Sequence, residues 1–387
     1  MQNFTFHNPT KIIFGKDTIP QIGPEAKAYG KKCLLVYGVA SIKKSGLYDT
    51  VKGILKKEKI SVVEHGGVKS NPLLSHARKG VEIAKKEKVE FILAVGGGSV
   101  IDESKAIAAG AKGKGKLWEF FTGEAKIQDA LPVLTILTIP ATGSEMNGGM
   151  VIMNDETKQK YGFIDPHMSP KVSIMDPVVT MTISPSYTAY SAVDSISHLV
   201  EGYFTAPDPW VPAQDKFVEG LVKTIMESTE RALAKPDDYQ ARATFMWCAT
   251  LAWNGVCSAG IGAFPVPAHM LAHPLGALYD LAHGASLSIT QPAWMTYALE
   301  KGNVKVPQFA REVFGVRMGS ASRRGRKGIE GLKKWFDGIG SPTTLAKANI
   351  PESDIPAVAD NARDLAQNWA LEEYTKEVIA GIYRLAL

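Results

Sequence analysis

The apolar run Phe91-Ile-Leu-Ala-Val95 passes straight into Gly96-Gly97-Gly98-Ser99, and a helical pattern continues from Ser99 to about Ala111. A short run of this kind, closed by glycine, reads as a strand buried on both faces. Glycine lets the backbone come close to a ligand, and the N–H groups and positive end of the following helix favour an anion such as a pyrophosphate. The competing reading is a tight strand-to-helix turn that needs glycine for geometry alone. The spacing does not match G-x-G-x-x-G, so the ordinary dinucleotide fingerprint is absent.

The same alternation extends in both directions. Cys33–Tyr37, Ile60–Val63 and Leu134–Leu137 read as further strands, and Leu47–Lys57 and Leu73–Lys86 as helices between them. Apolar strands alternating with amphipathic helices imply a parallel sheet covered on both faces, an α/β arrangement. A second turn, Thr138-Ile-Pro-Ala-Thr142-Gly143-Ser144-Glu145, also follows a strand and sets hydroxyls beside a glycine. Ligands of open α/β sheets bind at the C-terminal edge of the strands, so the two turns together point to a dinucleotide or a large phosphorylated ligand.

Beyond Asp176-Pro177 the pattern becomes helical, as in Gln214–Leu233, Gln240–Gly255 and Ile355–Ala366, with Pro185 a natural helix opener. At 387 residues the chain exceeds one ordinary core. The expected layout is an α/β domain over 1–180 and an all-helical domain over 181–387, with a ligand cleft between them.

Hydrophobic content of 45%, charged content of 21% and a net charge of +5 suit a soluble globular protein. The one dense basic cluster, Ser322 to Lys327, has no interleaved aromatics and reads as a solvated segment, which argues against a nucleic-acid partner. Cys33, Cys248 and Cys257 make an odd count without a C-x-x-C, as reduced buried thiols would. The N-terminal residues show no export signal, and the expected location is cytoplasmic. The stretch from Ala243 to Tyr279 has no Asp, Glu, Lys or Arg, but glycines, prolines and histidines interrupt it. It reads as buried core helices, with no membrane span.

Asp194 and His198 stand four apart, as do His269 and His273, and His283 follows shortly after, with Glu201 near the first pair. On a helix that spacing projects both side chains from one face. Imidazoles in an uncharged segment need partners, and a metal ion uses several at once. A carboxylate with imidazoles suits Fe²⁺ or Zn²⁺ and suits Ca²⁺ or Mg²⁺ poorly. Spacing leaves open which of the three later histidines are ligands.

In combination and order, Gly96-Gly-Gly-Ser99-Val-Ile-Asp102, Pro140-Ala-Thr-Gly-Ser-Glu145, Asp194-Ser-Ile-Ser-His198-Leu-Val-Glu201 and His269-Met-Leu-Ala-His273-Pro-Leu-Gly276 with His283-Gly284 resemble the iron-containing (group III) alcohol dehydrogenases. Within that family the resemblance is to the NADPH-dependent butanol dehydrogenase and broad-range aldehyde reductase branch, and it runs over essentially the whole chain. It implies a Rossmann-like parallel-sheet domain and a helical domain, as in dehydroquinate synthase. It also implies that Asp194, His198, His269 and His283 hold the metal, with Fe²⁺ first and Zn²⁺ second. His273 is then unligated and relays a proton. The implied cofactor residues are Gly38, Ser41, Gly96, Gly97, Gly98, Ser99, Asp102, Thr138, Thr142, Ser144 and Lys160. For Lys160 alone, a solvated surface lysine is the ordinary alternative.

The first strand ends Tyr37-Gly38-Val39-Ala40-Ser41 without an acid, and Lys43 and Lys44 follow. A carboxylate there would bind the 2′-hydroxyl of NAD and repel a 2′-phosphate, so NADP(H) is expected over NAD(H). Val39-Ala40 departs from the glycine run usual in the resembled branch. The expected reaction is hydride transfer between NADP(H) and a small primary alcohol or aldehyde such as butanol or butanal. A polyol dehydrogenase, a dinucleotide-dependent lyase on the same scaffold and a binding protein without catalysis are the alternatives. A homodimer through N-terminal strands at Phe4-Thr-Phe6 and Ile12-Ile-Phe14 is expected, and Phe264 and Trp253 are expected to shape the pocket.

Overall fold

The computed structural model describes residues 1–387. The chain divides into two compact units: His7–Ile183 with Pro236–Thr250, and Met1–Phe6 with Ser184–Lys235 and Leu251–Leu387. No helix is long and apolar enough to cross a membrane.

The first unit contains eight strands: β1 (Lys11–Phe14), β2 (Lys32–Gly38), β3 (Ser61–Val68), β4 (Phe91–Gly96), β5 (Val133–Leu137), β6 (Gly149–Asn154), β7 (Gln159–Ile164) and β8 (Val172–Met175). Between them run α1 (Ile22–Lys27), α2 (Ser41–Lys44), α3 (Leu47–Lys57), α4 (Leu74–Glu87), α5 (Gly98–Lys112) and α6 (Leu117–Thr122). Six strands form one fully parallel sheet in the order β1-β8-β5-β4-β2-β3. The expected α/β alternation is therefore the observed one, because its central strands are apolar on both faces. Leu35, Leu93 and Ile136 of three neighbouring strands pack with Val51 and Leu55 of α3 in one buried core.

Adjacency of β4 and β5 positions the two glycine turns. Ile92 lies opposite Val133 and Gly96 opposite Leu137, so the strands end side by side. The backbone N–H of Thr138 then donates to the Gly96 carbonyl at 3.0 Å.

Several features depart from the sequence reading. The strand expected at Ile60–Val63 begins one residue later and continues to Val68 through Glu64, His65 and two glycines. That extension is polar, and it forms because Leu35–Tyr37 of β2 supply backbone partners. The antiparallel pair β6–β7 and the four-residue β8 lie outside the alternation altogether. Phe4-Thr5-Phe6 forms no strand. The Gln2 N–H instead donates to the Gly260 carbonyl at 2.9 Å, so this segment belongs with the helical unit. Ile12–Phe14 do lie in a strand, at the edge of the sheet.

In the rest of the chain run α7 (Pro185–Thr205), α8 (Pro212–Ala234), α9 (Tyr239–Ala252), α10 (Pro267–Tyr279), α11 (His283–Glu300), α12 (Lys305–Phe314), α13 (Ala321–Gly338), α14 (Ile355–Asn368) and α15 (Lys376–Arg384). Of these, α9 falls mostly in the first unit. Ser184 caps α7 by accepting from the Tyr187 N–H, and Pro185 occupies the first helical position as expected. Residues Ala192–Phe204 of α7 are buried without interruption, as suits a helix packed on all sides. Gly284 is required where α11 crosses α7, since a Cβ there would stand 2.0 Å from the Tyr190 carbonyl oxygen.

Candidate active site

Asp194, His198 and Glu201 lie along one side of α7, and Asp194 is the centre of the histidine cluster. Its Oδ1 is 3.5 Å from a ring nitrogen of His198, 3.8 Å from Nε2 of His269 and 3.7 Å from Nε2 of His283. His269 is the third residue of α10 after Val266 caps it, and His283 opens α11 after a left-handed Asp280 ends α10. Asp194, His198 and His269 are all buried.

This donor set fits a divalent cation on its own chemistry. Neither Oδ1 of Asp194 nor Nε2 of His269 makes a hydrogen bond, although both are buried. A buried carboxylate oxygen without hydrogen bonds is costly, and a cation surrounded by imidazoles offsets that cost. Burial disfavours a charged imidazole at His269, yet Asp194 and Glu201 outweigh it and hold its pKa up at about 9. The site thus attracts positive charge between its two carboxylates.

Glu201 is fully buried and anchors His269 twice. Its Oε1 accepts from the His269 backbone N–H at 2.8 Å and faces Nδ1 of the ring at 3.0 Å. Burial raises the Glu201 pKa, and the His269 contacts oppose that rise. A ring held at Nδ1 presents Nε2 to the cluster, the arrangement that fixes tautomer and orientation in metal-bound imidazoles.

His273 stands one turn beyond His269 and is buried, but it lies away from Asp194. Its ring centre is 5.5 Å from that of His283 and 5.4 Å from the Trp369 ring. Trp253 covers the other side, with its ring 4.9 Å from His198 and 6.4 Å from His269, and Phe264 meets Trp253 edge-on. Trp369 was not anticipated, and nothing in its local sequence connects it to the histidines.

The cofactor candidates lie in the other compact unit. Gly97 caps α5 in an extended conformation, and its carbonyl accepts from Val100 and Ile101. The N–H groups of Gly98 and Ser99 then have no acceptor within the helix. None of Gly96, Gly97 and Gly98 adopts a positive φ. Packing is what requires glycine at the outer two: a Cβ on Gly96 would stand 2.4 Å from Val100, and one on Gly98 2.5 Å from Oγ1 of Thr142. Close packing is thus a reason for these glycines, and it brings the two turns together.

Asp102 and Ser144 brace these turns. Ser144 donates to Oδ1 of Asp102 at 2.6 Å, and Oδ2 accepts from the Val151 N–H at 3.1 Å. Lys105, which the sequence reading missed, lies fully buried one turn further along α5. Its Nζ donates to Ser144 Oγ at 2.8 Å and to the carbonyls of Asn147 at 2.9 Å and Gly149 at 2.7 Å. Burial pushes the Asp102 carboxyl up to about 6 and the Lys105 amine down to about 8. Ser99 Oγ donates to the Ser70 carbonyl at 2.5 Å. Lys160 is buried on β7 and donates to Asn71 at 3.0 Å, which replaces the solvated-lysine alternative. Gly38 ends β2 and Ser41 opens α2, where Lys43 Nζ lies 5.0 Å over both the Tyr37 and Tyr48 rings.

Comparison with known proteins agrees in both halves of the chain. The family described as iron-containing alcohol dehydrogenase matches residues 9–177, and its C-terminal family region matches residues 188–387. A probable NADH-dependent butanol dehydrogenase 1 from Bacillus subtilis is 41% identical over 100% of both chains. The NADPH-dependent aldehyde reductase YqhD from Escherichia coli is 36% identical, again over 100% of both. Among solved structures, an NADH-dependent butanol dehydrogenase A from Thermotoga maritima superimposes with a TM-score of 0.95 at 46% identity, covering 100% of this chain and 99% of that one.

Proposed function

Because this chain belongs to the iron-containing alcohol dehydrogenase family, an oxidoreductase family, we propose that it interconverts small primary alcohols and aldehydes with NADP(H), using a divalent metal held by Asp194, His198, His269 and His283. The observation that carries the reading is the convergence of three imidazoles on Oδ1 of Asp194, an oxygen without a hydrogen bond.

When bound, the metal supplies a Lewis acid toward the substrate oxygen, and the reduced nicotinamide supplies a hydride. Aldehyde, NADPH and one proton then give alcohol and NADP⁺. Glu201 keeps His269 oriented by accepting from its backbone and ring. His273, buried beside His283, holds the proton that the alcohol oxygen gains in reduction and releases in oxidation. Trp253 and Phe264 offer an apolar wall beside His198 and His269, which suits a short aliphatic or aromatic substrate. The N–H groups of Gly98 and Ser99 receive the pyrophosphate.

The cofactor preference rests on residues of this chain. No carboxylate follows β2 between Gly38 and Ser41, and Lys43 and Lys44 add positive charge within the next turn. The relatives' names divide between NADH and NADPH, so a direct measurement is the test. With butanal and protein of known metal content, kcat/KM is expected to be higher with NADPH than with NADH. His269→Ala is expected to lose metal and turnover together. Full metal content with full turnover in that variant would sink the assignment, and turnover of glycerol with NAD⁺ in place of butanol would move the reading to a polyol dehydrogenase. A homodimer through the exposed edge of β1 is also proposed, to be checked by light scattering.

A further inference from the structure

A second cluster of metal-binding side chains lies in the parallel-sheet unit. His65 of β3, His76 of α4 and Glu103 of α5 meet around one carboxylate oxygen. Oε1 of Glu103 is 3.0 Å from Nε2 of His65 and 2.6 Å from Nδ1 of His76, and the two rings stack with centres 4.2 Å apart. We propose that His65, His76 and Glu103 form a second divalent-metal site, of the kind two imidazoles and a carboxylate make for Zn²⁺, independent of the Asp194 cluster.

Three observations support a metal over a plain hydrogen-bonded triad. Glu103 is fully buried, and both histidines converge on Oε1 while Oε2 has no hydrogen-bond partner. An ionised carboxylate has about four acceptor positions, so a buried one with an unused oxygen is poorly compensated unless a cation completes it. His76 also hydrogen-bonds the backbone of Gly66, which is how a metal-bound imidazole is commonly anchored while its other nitrogen faces the ion. The distances suit the same reading. Donor atoms around a tetrahedral Zn²⁺ stand roughly 3.3 Å apart. The present separations of 3.0 and 2.6 Å would open by about 0.3 and 0.7 Å to reach that spacing, within the reach of a side-chain torsion of the partly exposed His76. The His76 side chain is 26% exposed, which gives a cation a route in and leaves a coordination position for water.

The bound ion would join β3, α4 and α5, three elements otherwise held by apolar contacts such as Ile107 against Gly80. The experiment titrates the full-length protein, stripped with chelator and dialysed, with Zn²⁺ alone and counts equivalents by calorimetry. Wild type is expected to bind two. Asp194→Asn should retain one, His76→Asn should retain one, and the double variant should retain none. Cobalt substitution gives an independent readout: the visible absorption of Co²⁺ in Asp194→Asn should vanish when His76→Asn is added. Zero equivalents in Asp194→Asn, or one that survives His76→Asn, would overturn the site as a hydrogen-bonded triad or an adventitious surface ion. Because His76 is partly exposed, His76→Asn tests the site without emptying a buried position, and circular dichroism shows that the variant folds.

Discussion

Glu201 holds His269 at both its backbone N–H and its ring, and this geometry gives it control of the proposed metal site. Removing its charge leaves the His269 ring less firmly held while the proposed ligands remain. Glu201→Gln should therefore weaken Zn²⁺ or Fe²⁺ affinity by about 10- to 100-fold, the usual effect of losing a partner behind a ligand. Competition with a chromophoric chelator measures this, and unchanged affinity would show that Glu201 only fills space. Glu64 supplies a pH dependence of definite sign. Lys52, then Tyr48 and Tyr37, hold its carboxyl down at about 2 against partial burial, from an ordinary value of 4.5. A depressed folded-state value contributes stability above pH 4.5 that is lost as the pH falls toward 2. Solvent screening of this partly exposed group limits the contribution to about 0.5–1 kcal/mol. Urea melts at several acidic pH values should show wild type losing that increment relative to Glu64→Gln, and parallel curves would refute it. Asp194, His198 and His269 could be singled out in the sequence because their spacing and uncharged surroundings are local facts. Lys105 and Trp369 could not, since their importance comes from residues far away in the chain.

At the scale of elements, close approach of backbones decides where the functional groups stand. The first turn of α11 reaches α7 only because residue 284 has no side chain, and the same turn carries His283 to Asp194. Gly284→Ala should cost roughly 1–3 kcal/mol through overpacking. It should also lower metal affinity, because the clash pushes His283 away from Asp194. Denaturant melts and metal titration check the two effects, and a stable variant with full affinity would refute the argument. Among elements, α3, α5 and β4 followed from the sequence nearly residue for residue, since their apolar periodicity is strong and their ends carry glycine or lysine. The end of β3 and the β6–β7 pair did not. Glu64, His65, Gly66 and Gly67 show no strand pattern, and β3 extends through them only because β2 runs alongside.

For the whole molecule, each half of the proposed chemistry resides in its own compact unit. The residues proposed for the metal lie in Ser184–Lys235 and Leu251–Leu387, and those proposed for the dinucleotide in His7–Ile183. A lesion in one half should therefore act mainly on the binding carried by that half. Asp194→Asn should keep its NADPH affinity by fluorescence titration. Gly98→Ala, whose added carbon would press on Thr142, should lose that affinity and keep its metal content. A tenfold cross-effect in either direction would contradict this separation.

Short-range patterns in the chain were enough for the main alternation of strands and helices, for the parallel sheet and for naming the residues proposed to carry chemistry. Strand and helix periodicity, glycine turns and i, i+4 histidines are written over short distances along the chain. It took the folded chain to make Asp194 Oδ1 the point where the histidines converge, to set Glu201 behind His269, and to bury Lys160 and Lys105. Folding alone brought His65, His76 and Glu103 onto one oxygen. Each of these depends on which elements become neighbours, and that is set by packing between segments tens of residues apart, which no local pattern encodes.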